Sequence, residues 1–364
     1  MIEKLVRKEA AEVLEYIPGM GKDDLSKRYG LDLKKIIKLG SNENSLGPSP
    51  KAIDEIKKSS NIVHLYPNEN AFELRRNIAE NLDLKLENII LGNGSDEIIE
   101  LIIKAFLNKG EEAIIPSPTF SLYASLVKLH SGKVIEIPLT KEFGYNTEKV
   151  LKKINQRTKM IFLCSPNNPT GGCVALKNVL KLLEQKVLVI LDEAYIEYAN
   201  QSNVNLINEY ENLIVLRTFS KAFGLAGLRV GYGVANKKTI KYLVKVKPPF
   251  NVNILAQKGA IGALKDSDHL KKTIRSVHDG RDFLTKELRK IRGLKVYPSH
   301  ANFLLINVKG TNMASSDIAE NLLKRGIIIR DCNSFGLGDE YLRISVGKAE
   351  ENHSLIKTLK KVLN

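Results

Sequence analysis

The sequence has little cysteine, no long apolar run and no block of like charge. Its three cysteines, Cys164, Cys173 and Cys332, form neither a pair motif nor a metal-ligand spacing. That argues against a disulfide scaffold and a metal centre, and points to a reduced, cytoplasmic protein. Clean apolar runs such as Val187 to Leu191 stop at about five residues, whereas a membrane span needs about twenty. Met1 to Tyr16 alternates charged and apolar positions without an apolar core or cleavage site, so a secretory leader is not expected. No internal repeat or low-complexity segment appears.

What is present is an ordinary soluble composition, 43% apolar and 27% charged, over 364 residues. At roughly 150 residues per domain this is two domains or one large one. The unusual number is the net charge of +15, from 56 basic and 41 acidic residues. No Lys/Arg run exceeds two residues and acidic residues lie between them, which reads as a solvated, lysine-rich surface rather than a nucleic-acid footprint. Such a field also suits a phosphorylated small molecule.

The first 40 residues read as a helical arm with a loop at Ile17-Pro18-Gly19. From Ser41 to about residue 247, short apolar runs alternate with helical patterns. The candidate strands are 89–91, 113–115, 133–137, 160–163, 187–191 and 213–216. That rhythm predicts a mostly parallel sheet covered on both faces. Pro248-Pro249 stops the preceding helix and sets the expected boundary of a smaller α+β domain, 248–364. There, helices are expected at about 269–291, 315–324 and 350–363, and strands at 303–307, 327–329 and 341–345.

In open α/β sheets, ligands bind at the carboxyl ends of the strands. Four loops there carry chemistry. Gly94-Ser95-Asp96 opens a helix whose free amides would form an anion site. Asn168 is aimed by a rigid turn of prolines and glycines. Asp192 ends an apolar strand, where a carboxylate is costly without a cation, and Tyr195 follows it. Ser220-Lys221 leads to Arg229 among glycines, and a lysine of lowered pKa there could form a Schiff base. One cofactor explains all four: pyridoxal phosphate needs a lysine for its aldehyde, a carboxylate for its pyridine nitrogen, donors for its phenolic oxygen and an anion cradle.

These loops, with Lys38-Leu39-Gly40-Ser41-Asn42-Glu43-Asn44, Tyr66-Pro67, Asn168-Pro169-Thr170-Gly171, Asp192-Glu193-Ala194-Tyr195, Pro248-Pro249-Phe250-Asn251 and Leu342-Arg343-Ile344-Ser345-Val346-Gly347, match a family in its order along nearly the whole chain. The sequence resembles fold-type I pyridoxal-phosphate aminotransferases, specifically the histidinol-phosphate aminotransferase family. The resemblance implies that Lys221 forms the Schiff base and then moves protons, that Asp192 pairs with the pyridinium, and that Tyr195 and Asn168 hold the phenolic oxygen. It implies that Gly94, Ser95, Asp96, Ser220 and Arg229 hold the cofactor phosphate and that Phe120 stacks on the ring where many members carry Tyr. Tyr66 is expected to reach that phosphate in the neighbouring subunit of a homodimer. Tyr16, Asn42, Arg330 and Arg343 are the implied substrate residues, the two arginines serving histidinol phosphate and glutamate or 2-oxoglutarate in one pocket. Ser45 stands where many members have Pro. Three alternatives remain at this point: an aromatic amino acid aminotransferase, a decarboxylase of a phosphorylated amino acid, and a non-enzymatic regulator on the same scaffold.

Overall fold

Apolar runs too short to cross a membrane become the strands of a buried sheet. The computed structural model describes residues 1–13, 15, 17–199 and 201–363. In chain order, the arm contributes α1 (Lys8–Glu12), α2 (Lys22–Tyr29) and β1 (Ile37–Lys38). Next come α3 (Pro50–Lys58), α4 (Phe72–Leu82), β2 (Ile89–Gly92), α5 (Ser95–Phe106), β3 (Glu112–Ser117), α6 (Leu122–Leu129) and β4 (Lys133–Pro138). They are followed by α7 (Thr147–Lys153), β5 (Thr158–Cys164), α8 (Leu176–Leu183), β6 (Leu188–Asp192), β7 (Leu213–Thr218) and β8 (Gly231–Ala235). The remainder holds α9 (Lys237–Val246), α10 (Ile254–Leu264), α11 (Ser267–Arg289), β9 (Lys295–Val296), β10 (Phe303–Asn307) and α12 (Ser315–Leu323). β11 (Ile327–Ile328), β12 (Arg330–Asp331), β13 (Tyr341–Ser345) and α13 (Ala349–Leu363) complete it.

Seven strands form the large sheet in the order β2-β8-β7-β6-β5-β3-β4, with only β8 antiparallel to its neighbours. Alternate residues of one strand enter different cores. Val189 and Leu191 of β6 join one apolar cluster, and Ile190 joins the other. Leu213 and Val215 of β7 split from Ile214 and Leu216 in the same way. This two-sided burial is why the strands read as continuous apolar runs rather than as alternating ones. Truncating one such residue to Ala would cost about 2–5 kcal/mol.

β8 was not foreseen, because Gly231 and Gly233 look like loop punctuation. The glycine has a packing reason. A Cβ on Gly231 would lie 2.5 Å from the Ser95 amide nitrogen, so only glycine lets β8 pass the start of α5. The expected strand 327–329 is β11, two residues long, and a separate short strand, β12, follows it. β11 pairs with β1 of the arm, while β12 pairs with β13 in the small four-stranded antiparallel sheet β12-β13-β10-β9.

Pro248 and Pro249 do follow the end of α9. The next helix, α10, packs on α3 and α4 and places Ala256, Ala260 and Ile261 in a core of the large sheet. The arm spans both parts of the molecule. Leu25 and Ile36 pack with Ile328, and Arg7 donates to the Leu129 carbonyl at the end of α6, at 3.1 Å. No helix among the described residues is long and apolar enough to cross a membrane.

Candidate active site

The carboxyl ends of β5, β6 and β7 open on a cavity of about 480 Å³. At the end of β6, Asp192 is buried. Its Oδ2 accepts from the Tyr123 hydroxyl at 2.5 Å and its Oδ1 from the Ala194 amide at 3.0 Å. Neither donor is a cation, and among the described residues Asp192 has no ion pair. Burial therefore raises its pKa to about 6, with the two hydrogen bonds opposing.

Lys221 follows β7 by a turn of three residues that leaves the sheet at Thr218. Its Nζ donates to the Ser41 carbonyl at 3.4 Å and sits 5.6 Å from the centre of the Tyr195 ring. Burial, then the positive charge of Arg343, pulls its pKa down to about 8. Asp96 and Glu43 oppose that shift. A lysine with this depression has an accessible neutral amine near physiological pH.

Two charged clusters line the same cavity. In the first, Gly94 at φ +84° precedes α5 and offers no side-chain cap, leaving the Ser95 and Asp96 amides at an open helix start. Arg229 lies across it, with Nη2 2.8 Å from Asp96 Oδ2 and Nη1 3.4 Å from Ser220 Oγ. A Cβ on Gly94 would meet Arg229 Nη2 at 2.6 Å. Amides at a helix start, two hydroxyls and a guanidinium are the donor set of a phosphate site.

In the second cluster, Arg330 of β12 is the direct cross-strand partner of Arg343 of β13. Like charges in that register are unfavourable unless an anion joins them. Arg343 is buried and donates to Asn168 Oδ1 and to the Gly40 carbonyl, the latter at 2.6 Å. Arg330 donates to the Ile17 carbonyl at 2.8 Å. The Phe335 ring lies under both guanidiniums, at 5.8 and 5.6 Å.

Residues 34–359 match the profile of the family "Aminotransferase class I and II". The histidinol-phosphate aminotransferase of Methanocaldococcus jannaschii is 44% identical over all of this chain and 99% of its own. That of Methanosarcina barkeri is 40% identical over 97% of this chain and 96% of its own. The chain belongs to the class I and II aminotransferases, within the histidinol-phosphate aminotransferase family. A solved histidinol-phosphate aminotransferase from Clostridium acetobutylicum superimposes with a TM-score of 0.84 at 31% identity, covering 90% of this chain and 99% of that one. The enzyme from Sinorhizobium meliloti, solved with pyridoxal-5'-phosphate, has the same fold, with a TM-score of 0.88 at 24% identity over 98% of this chain and 97% of that one.

Within this aminotransferase fold, the residues singled out in the sequence fall into three groups. Ser95, Asp96, Ser220 and Arg229 line the cavity beside Phe120, with Gly94 just behind them. Asn168, Asp192, Tyr195 and Lys221 line it too, as do Asn42, Arg330 and Arg343. Tyr66 does not. It is 81% exposed and stacks on Phe250, ring centres 4.8 Å apart, beside a separate open apolar hollow. Tyr16 lies outside the described residues.

Two site residues were missed. Tyr123, which holds Asp192, sits inside an apolar helix and reads as core. Its only signal was its place three residues after Phe120, just past a strand end. Phe335 lies in a short turn after β12, and no local pattern marks it.

Proposed function

We propose that this chain is a pyridoxal-phosphate-dependent aminotransferase interconverting histidinol phosphate and 2-oxoglutarate with imidazole-acetol phosphate and glutamate. The observation that carries it is the convergence of a lysine of lowered pKa, a buried carboxylate lacking a cation and an anion cradle in one cavity. The residues fit the cofactor. Asp192 has no cation of its own, and the pyridinium would supply one. The Gly94–Asp96 amides, Ser95, Ser220 and Arg229 would hold the phosphate, while Asn168 and Tyr195 would face the phenolic oxygen and Phe120 the ring. When bound, the group supplies an electron sink for breaking a Cα–H bond.

The chain's own residues do the rest. Lys221, drawn toward neutrality, would hold the cofactor through its aldehyde and would take and return the substrate's α-proton through Nζ. Asp192 would present its carboxylate to the pyridine nitrogen and hold that nitrogen protonated. Tyr195 keeps its proton, because burial holds its pKa well above the usual value. The facing Arg330 and Arg343 receive the anionic group of either substrate, phosphate or carboxylate, by guanidinium forks.

The enzyme is proposed to be a cytoplasmic homodimer. An exposed apolar patch of Val63, Leu65, Tyr66 and Phe250 supports a covered face there, from which Tyr66 would reach the partner's phosphate cradle. The large and small domains are best divided at α11 rather than at residue 248, because α10 packs with the large sheet.

The test is a half-reaction titration. The visible band of the cofactor-loaded protein is followed while histidinol phosphate, and separately phenylalanine, is added. Conversion at much lower histidinol phosphate concentration is expected. Equal or better conversion by phenylalanine would move the substrate to aromatic amino acids, and release of CO2 without glutamate exchange would move the reaction to decarboxylation.

A further inference from the structure

Tyr195 has one hydroxyl proton, and a pair of residues far apart in sequence decides where it points. Asn42 is buried, at φ +55°, and its polar groups are engaged on both backbone and side chain. Its amide N–H donates to Ser345 Oγ at 2.9 Å, and its carbonyl accepts from Asn302 Nδ2 at 3.0 Å. Its side-chain Oδ1 accepts from Ser345 Oγ at 2.9 Å, and its Nδ2 donates to the Tyr195 hydroxyl oxygen at 3.0 Å.

The direction of these bonds follows from counting protons. A backbone N–H can only donate, so Ser345 Oγ must accept from Asn42. The serine's own proton is then available for Asn42 Oδ1. That turns the amide so that oxygen faces Ser345 and nitrogen faces Tyr195. With Asn42 donating to the phenol oxygen, the Tyr195 O–H must point elsewhere. Among the described residues the hydroxyl donates no hydrogen bond, and Tyr195 lines the cavity.

We infer that Ser345 and Asn42 are positioning residues that set the polarity of the Tyr195 hydroxyl, making it a hydrogen-bond donor aimed at an oxyanion in the cavity. The inference rests on the cofactor reading above, in which that oxyanion is the phenolic oxygen of pyridoxal phosphate. It reassigns Asn42 from a substrate ligand to the residue that orients Tyr195. It also joins two functions on one strand. Arg343 and Ser345 are two residues apart on β13 and so share a face. The strand that carries the anion-binding arginine therefore also carries the hydroxyl that sets the tyrosine.

The test is the pH titration of the visible band of the cofactor-loaded protein. A donor on the phenolic oxygen favours the deprotonated chromophore, so losing it raises the midpoint. Ser345→Ala frees the Asn42 amide to turn and is expected to raise the midpoint by roughly 0.5–1 pH unit, the worth of one hydrogen bond. Ser345→Cys, with its weak S–H donor, should shift it in the same direction. Ser345→Thr keeps the hydroxyl and should stay at the wild-type midpoint. In a Tyr195→Phe background, Ser345→Ala should add no further shift. A normal wild-type band left unmoved by Ser345→Ala and Ser345→Cys would overturn this inference alone. The same shift persisting in the Tyr195→Phe background would overturn it as well. A wild-type protein that acquires no visible band with pyridoxal phosphate would overturn the cofactor reading and this inference with it.

Discussion

Asp192 and Arg330 both carry formal charge on the wall of one cavity, yet they are governed by different physics. Asp192 ends a central strand of the large sheet, is 4% exposed, and has its pKa raised to about 6 by burial. Lys221, one strand over, is drawn down to about 8 for the same reason. Arg330 stands on a two-residue edge strand of the small sheet, where its hydrogen bonds to Ile17 and Ser334 are solvent-exposed. On the sheet side, the protein sets protonation by withholding water. At Arg330, on the rim, it sets position through hydrogen bonds that stay open to solvent. Under the proposed function, proton transfer falls to the first region and recognition of the anionic substrates to the second.

Breaking the sheet side should have the largest effect. Lys221→Ala is expected to abolish the visible cofactor band and nearly all turnover, a loss of at least about 10³-fold. Full activity in that variant would refute the assignment. Asp192→Asn should follow, with loss of both cofactor affinity and rate, measured by dialysis against free cofactor and by single-turnover kinetics.

The rim should respond more gently and in a graded way. Arg343→Ala removes a buried fork and leaves Asn168 and the Gly40 carbonyl without their donor. We expect kcat/KM to fall about 10²- to 10³-fold for histidinol phosphate and glutamate alike. Arg330→Ala should cost about tenfold, as suits a more exposed charge. A loss confined to one substrate in either variant would end the shared-pocket account.

The smallest effect sharpens the comparison in the cofactor-free protein. Asp192 has a folded pKa raised from 3.8 to about 6, so its contribution to stability is present at low pH and lost as pH rises through 6. Lys221 has a folded pKa lowered from 10.5 to about 8, so its contribution is present at high pH and lost as pH falls through 8. Between about pH 6 and 8 both groups are charged, and both contributions are missing. Denaturant midpoints at pH 4.5 and 7 should therefore differ less in Asp192→Asn than in the wild type, by an amount on the order of 1–2 kcal/mol. An identical pH dependence would mean that burial does not strain this carboxylate.

Much of the large sheet was readable because its signals are local. A short apolar run between turns marks a two-sided strand, and β10 and β13 begin and end where the residue pattern placed them. Lys221, Asp192 and Asn168 were readable because each stands at, or within five residues of, the end of such a strand. Tyr123 was not, since an apolar helix is the normal place for a tyrosine to be core, and only the fold turns its hydroxyl onto Asp192.

The sequence by itself determined where most strands of the large sheet lie and which residues stand near their carboxyl ends, because hydrophobic period and turn chemistry act over a few residues. Only the tertiary structure decided that β8 runs antiparallel past α5, that α10 belongs with the large sheet, that Arg330 faces Arg343, and that Ser345 reaches Asn42 across 303 positions. Those are choices among pairings distant in the chain. They are made by the burial of whole faces and by the need to satisfy every buried donor and acceptor, and no local stretch of residues carries that information.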